Sequence, residues 1–88
     1  MDKARFERLT KEQKENLTIV DFTVSEILEL IAETPLKEED IKIAKARYVR
    51  LMTYEQIAEK IDRDTKTVKL HIGAIKQKIN DTIKRIVF

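Results

Sequence analysis

Apolar residues recur along this chain at intervals of three and four, the spacing of one face of a helix, and nowhere in strict alternation with polar ones. The longest series is Val68, Ile72, Ile75, Ile79, Ile83 and Ile86. It predicts one helix from about Thr65 to near the C-terminus, with an apolar stripe facing a core. Its other side carries Lys66, Lys69, Leu70, Gly73, Lys76 and Gln77. Just upstream, Ile57, Ala58 and Ile61 mark a two-turn helix over Tyr54–Ile61. Thr53 stands as its N-cap, with Gln56 three residues on, the spacing of a capping box. Asp62, Arg63 and Asp64 separate the two helices. Asp64 is suited to cap the longer one, and nothing in the three residues demands a left-handed backbone.

Further back, Ile41, Ala44, Tyr48 and Leu51 repeat at three or four and predict a helix from Lys37 to about Leu51, with Ile43 and Arg47 flanking that face. Glu38, Glu39 and Asp40 crowd its first turn, where negative charge suits the helix dipole. Val24, Ile27, Leu28, Leu30 and Ile31 mark a helix over about 23–33, capped by Thr23 or Ser25 and stopped at Thr34-Pro35. Residues 3–16 read as a short helix or a frayed arm, and 16–23 as an irregular link. The expectation is an all-α domain of four to five helices in one unit. It comprises an N-terminal segment (1–34), a core (36–79) and an extension of the last helix (80–88). Phe6, Leu9, Ile19, Val20 and Phe22 form a second apolar set. It either closes the core against the C-terminal residues or leaves the last helix free to pair with its copy in a homodimer.

Two helices joined by a three-residue turn, with a small residue where they cross, form a helix-turn-helix pattern. Ala58 is that small residue: a larger side chain would push the crossing apart. The second helix would then project its N-terminal half outward, able to enter a major groove about 12 Å wide. Lysines would meet phosphates; Thr, Lys and Gln would reach base edges or backbone. Arg50, Thr53, Tyr54 and Arg63, at helix starts and turns, are candidates to hold the phosphate backbone.

Composition sharpens this picture. The 88 residues hold no cysteine, one glycine, one proline and one histidine. A lone histidine without cysteine builds no zinc site, a single glycine makes no phosphate-cradling loop, and no nucleophile stands beside a base. No enzyme and no cofactor are expected. With no apolar run long enough for a signal peptide or a membrane span, a cytoplasmic location follows as an expectation. The net charge of +2 conceals an asymmetry: −5 over residues 1–40 and +7 over 41–88. A basic half favours a polyanionic partner. His71 is expected to lie half-buried beside Val68 and Ile72.

The run Arg47–Ile72 resembles the DNA-binding helix-turn-helix shared by region four of sigma factors and the C-terminal domain of LuxR-type response regulators. The likeness rests on Met52-Thr53-Tyr54-Glu55-Gln56-Ile57-Ala58 and on Thr67-Val68-Lys69-Leu70-His71-Ile72. Leu36-Lys37-Glu38-Glu39 resembles the opening of the family's preceding helix. It covers residues 36–79 and implies that Thr65, Lys66, Thr67, Lys69 and Gly73 face the groove, with Leu70, Lys76 and Gln77 beside them. Three positions depart from it. Asp62 stands where the family usually has glycine, Arg63 where it has an apolar residue, and Leu51 where a glycine often precedes the Ser/Thr-Tyr run. These predict a wider turn, with Arg63 pointing to solvent or a phosphate. Lacking the other sigma regions and a receiver domain, the chain resembles a small stand-alone regulator of the kind found on phages and mobile elements. Its expected function is sequence-specific binding of double-stranded DNA in transcription regulation. A protein-interaction role, with RNA polymerase or another regulator bound through the acidic N-terminal half, is the alternative.

Overall fold

A computed structural model describes residues 4–88; Lys3, where the first expected segment begins, lies outside the described residues. The described chain is helical throughout, without strands. Six α-helices follow in order: α1 (Ala4–Glu7), α2 (Lys11–Glu15), α3 (Val24–Glu33), α4 (Glu38–Ala44), α5 (Tyr54–Ile61) and α6 (Thr65–Val87). A 3-10 turn (Ile19–Asp21) precedes α3, and a π-helical turn (Lys45–Val49) continues α4. None of these helices is long and apolar enough to cross a membrane.

Local chemistry sets most helix starts. Thr10, Thr23 and Thr53 each cap a helix by the same reciprocal exchange, with the third helical residue (Gln13, Glu26 and Gln56) returning the bond to the cap's own N–H. At α3, Thr23 rather than Ser25 is the cap. The segment 16–23 winds into the 3-10 turn, where Asp21 accepts from the Thr18 N–H at 2.9 Å.

The core runs along α6. Val68, Ile72, Ile75, Ile79 and Ile83 are all buried, as the spacing predicts, but the buried stripe ends on Thr82 and Val87, and Ile86 is only half-buried. Phe6, Ile19 and Phe22 join this core, and α2 lies against α6. The N-terminal apolar set and the C-terminal residues therefore close over each other within one chain. Val20 does not belong to that set: it is 82% exposed. Arg5 ties the segment down, pairing with Glu26 at 2.8 Å and lying over the Phe6 and Phe22 rings at 4.7 and 5.5 Å. Thr23 holds the same Glu26 carboxyl below its ordinary range through hydrogen bonds, with Arg5 adding to the effect.

The helix expected over Lys37–Leu51 is interrupted. Its last turn is π-helical: the Arg50 N–H reaches back five residues to the Lys45 carbonyl at 3.0 Å, and the Met52 N–H reaches six, to Ala46, also at 3.0 Å. The wider turn rotates the register. Ile43, Ala44 and Ala46 are buried, Ile41 and Tyr48 are half-buried, and Leu51, expected on the inner face, is 79% exposed.

Two buried threonines bind the ends of the core together. The Thr34 hydroxyl donates to the Leu30 carbonyl at 2.6 Å and lies 2.8 Å from the Thr82 hydroxyl. Arg85 donates to Thr82 at 3.2 Å. Thr82 also reaches the Lys78 carbonyl at 3.2 Å, so its one proton has two acceptors, and each hydroxyl keeps a carbonyl of its own helix in reach beside the other hydroxyl.

Candidate nucleic-acid interface

The α5–turn–α6 unit is built from its backbone outward. Ile57 and Ala58 on α5 are buried, as are Val68 and Ile72 on α6, and the two helices pack directly on one another. At the end of α5, Asp62 takes a left-handed conformation, φ 56° and ψ 48°. Its N–H bonds back to Glu59, and the Arg63 N–H bonds to the Ala58 carbonyl at 3.0 Å. This is the Schellman arrangement that glycine usually completes. Asp62 completes it instead, since a short polar side chain tolerates the left-handed region better than most. The turn is therefore closed tightly, not widened. Asp64 then caps α6, accepting from the Thr67 N–H at 2.6 Å. Hydrogen bonding from Thr67, through its hydroxyl first and this N–H second, holds the Asp64 carboxyl below its ordinary range.

With the isoleucine stripe turned inward, the first half of α6 presents Lys66, Lys69, Leu70, Gly73, Ala74, Lys76 and Gln77 to solvent. None of Lys66, Lys69 and Lys76 pairs with a carboxylate among the described residues. Thr65 and Thr67 sit half-buried at the edge of this face, at its N-terminal end. Leu70 is 68% exposed amid the lysines. A Cβ on Gly73 would meet nothing within 4 Å, so no neighbour in the chain requires a glycine there. In a helix interior glycine costs up to about 1 kcal/mol relative to alanine.

The four phosphate candidates are in unequal states. Arg50 is exposed and unpaired among the described residues. Thr53 accepts from the Gln56 N–H at 3.1 Å, which leaves its own hydroxyl proton to give. Tyr54 is half-buried under two cations, Arg47 at 4.3 Å and Lys69 at 5.8 Å from its ring centroid. Arg63 is exposed, as expected, and also meets Glu39 of α4 at 3.4 Å, a long and partly exposed pair of small energetic weight.

Three contacts were not foreseen from the sequence. Arg47 donates to the Met52 carbonyl at 3.0 Å while stacking on Tyr54, so one side chain positions both ends of the entry to α5. His71 is half-buried as expected, but it also meets Asp40 at 2.8 Å and so ties α6 to the start of α4. Burial raises the Tyr48 phenol above its ordinary value, the nearby Tyr54 adding to this, so the ring stays neutral. His71 and Asp40 are brought together only by tertiary packing, and the Arg47 contacts depend on the π-helical turn, so neither leaves a signal in the apolar spacing. Among the described residues no cluster of three His, Asp or Glu side chains is placed to hold a metal ion.

Compared with protein-family models, with curated proteins and with solved structures, the chain gives no significant match.

Proposed function

We propose that this chain is a double-stranded DNA-binding module of the transcription-regulator type, with the exposed first half of α6 lying in the major groove. The single observation that supports this most is the state of that face. Lysines 66, 69 and 76 stand without a carboxylate partner among the described residues, Lys69 meeting the Tyr54 ring, on a helix fixed from behind by buried Val68, Ile72 and Ile75. Such cations on a rigid helix suit phosphates, and phosphate neutralisation supplies most of the affinity of such contacts. Thr65, Lys66, Thr67, Lys69, Lys76 and Gln77 supply donors and acceptors for base edges or backbone, and Leu70 an apolar surface of the kind that meets a thymine methyl. Gly73, bare toward solvent, lets another backbone approach closely. Arg50 and the Thr53 hydroxyl flank the groove as backbone anchors. The tight exit turn at Asp62 and the sequence likeness to the helix-turn-helix of sigma region four and LuxR-type domains agree with this use.

The test is a paired substitution, Lys66→Glu with Lys69→Glu, read by duplex-binding titration over a range of salt. Binding by the unchanged protein should weaken steeply with salt, and the variant should lose it while still unfolding cooperatively with heat. A variant that binds duplex as the parent does ends the proposal.

A further inference from the structure

Away from the α6 face, a cleft of about 510 Å³ opens between α4 with its π-helical turn and α5. Ile43 and Ile57 close its floor from beneath, fully buried, so its accessible apolar surface comes from half-buried Ile61 and the aliphatic stems of Lys42, Lys45, Arg50 and Lys60, whose charges stand around it. All four cations are exposed, and none pairs with a carboxylate among the described residues. No acidic residue lines the cleft. The volume falls within the range of small-molecule sites, about 300–1,000 Å³.

Two properties of the cleft select its occupant. The cations favour a negative charge. The apolar surface of Ile61 and the cation stems favours an apolar body, which a bare phosphate or a nucleic-acid backbone lacks. One wall is the π-helical turn, an irregularity that recurs at functional sites. We propose that the cleft binds a small amphiphilic carboxylate: an acyl or aromatic tail against Ile61 and the lysine stems, with its carboxylate held by Lys45 of one wall and Lys60 of the other. Arg50 is common to this cleft and to the DNA-binding reading, but Lys45 and Lys60 belong to the cleft alone, and the probe and the readout involve no nucleic acid, so either reading can fail without the other.

Octanoate is the probe, and thermal unfolding of the whole chain is the measurement. A ligand that binds only the folded state stabilises it by mass action, and at ten times its Kd the midpoint should rise by about 6–10 °C. Octanol, octylammonium and inorganic phosphate at the same concentration should each leave the midpoint within about 1 °C of the free protein. In the Lys45→Glu, Lys60→Glu double variant the preference should reverse, with octylammonium stabilising and octanoate not. Backbone amide shifts of the unchanged protein provide a check that does not depend on the variant folding: octanoate should perturb residues 42–50 and 57–61 and spare α2. The proposal is overturned by no midpoint shift with octanoate, by an equal shift with octanol or with phosphate, or by amide shifts centred elsewhere.

Discussion

α5 is entered and left through turns that share one backbone feature and differ in what supports it. Leu51 before it and Asp62 after it both have φ 56°, and neither is glycine. At the exit, the left-handed residue is short and polar, and its own N–H and the next close a Schellman turn on the carbonyls of the helix just ended. The support is local. At the entry, the left-handed residue is a branched apolar side chain, 79% exposed, with nothing of its own to stabilise that conformation. It is held from outside: the π-helical turn fixes the N–H groups of Arg50 and Met52, and Arg47 holds the Met52 carbonyl. The exit is a turn its residues choose, whereas the entry is one its surroundings impose. Backbone strain of this kind persists where neighbouring structure over-determines it, and it gathers at functional sites. Here it lies between the cationic Arg50 and the hydroxyl-bearing Thr53 at the start of α5, both proposed as backbone anchors.

The strongest challenge to this contrast is Asp62→Val. A β-branched residue is poorly tolerated in the left-handed region, so the domain should lose about 1–2 kcal/mol, measured by urea unfolding. An unchanged midpoint would mean the exit does not depend on its residue. The opposite sign is expected at the entry. Leu51→Gly relieves about 1–2 kcal/mol of conformational strain and returns about 0.5–1 through the freer unfolded chain, for a net gain of about 0.5–1 kcal/mol. A loss there would show that the exposed leucine contributes contacts outweighing its strain. The smallest effect is the pH dependence of the α6 cap. Because the folded state lowers the Asp64 pKa, its contribution is complete above the unfolded value, near pH 4, and fades as the pH falls through the lower folded value. Asp64→Asn, which keeps an acceptor but cannot titrate, should unfold with a flatter pH profile between about pH 2 and 4. Matching profiles for the two proteins would remove the carboxylate from the account of that cap.

What the chain's pattern could reveal follows the same division. The caps at Thr53 and Asp64 involve partners three residues apart, so they are visible in the sequence, as is the inward stripe of α6. The outward face of Lys66, Lys69, Leu70, Gly73, Lys76 and Gln77 was legible as the complement of that stripe. The π-helical turn was not. A period of 3.6 extrapolated through Lys45–Val49 places Leu51 inside, while one wider turn swings it out. The left-handed aspartate was hidden because Asp at a helix end is compatible with several turn shapes, and only the bonds back to Ala58 and Glu59 select one. Arg63–Glu39 and His71–Asp40 join residues 24 and 31 positions apart, and spacing carries no record of such pairs.

The hydroxyl pair Thr34–Thr82 has a mechanical consequence for the presented helix. A seam of isoleucines is nearly interchangeable, so α6 displaced by one turn would still meet oil with oil. The two hydroxyls are not interchangeable: any displacement breaks the contact between them and leaves each only the carbonyl four residues back, at a cost of about 0.5–1.5 kcal/mol. They act as a detent near the rear of a 23-residue rod, about 34 Å long at 1.5 Å per residue. The lysine-bearing front end is thereby indexed axially as well as oriented.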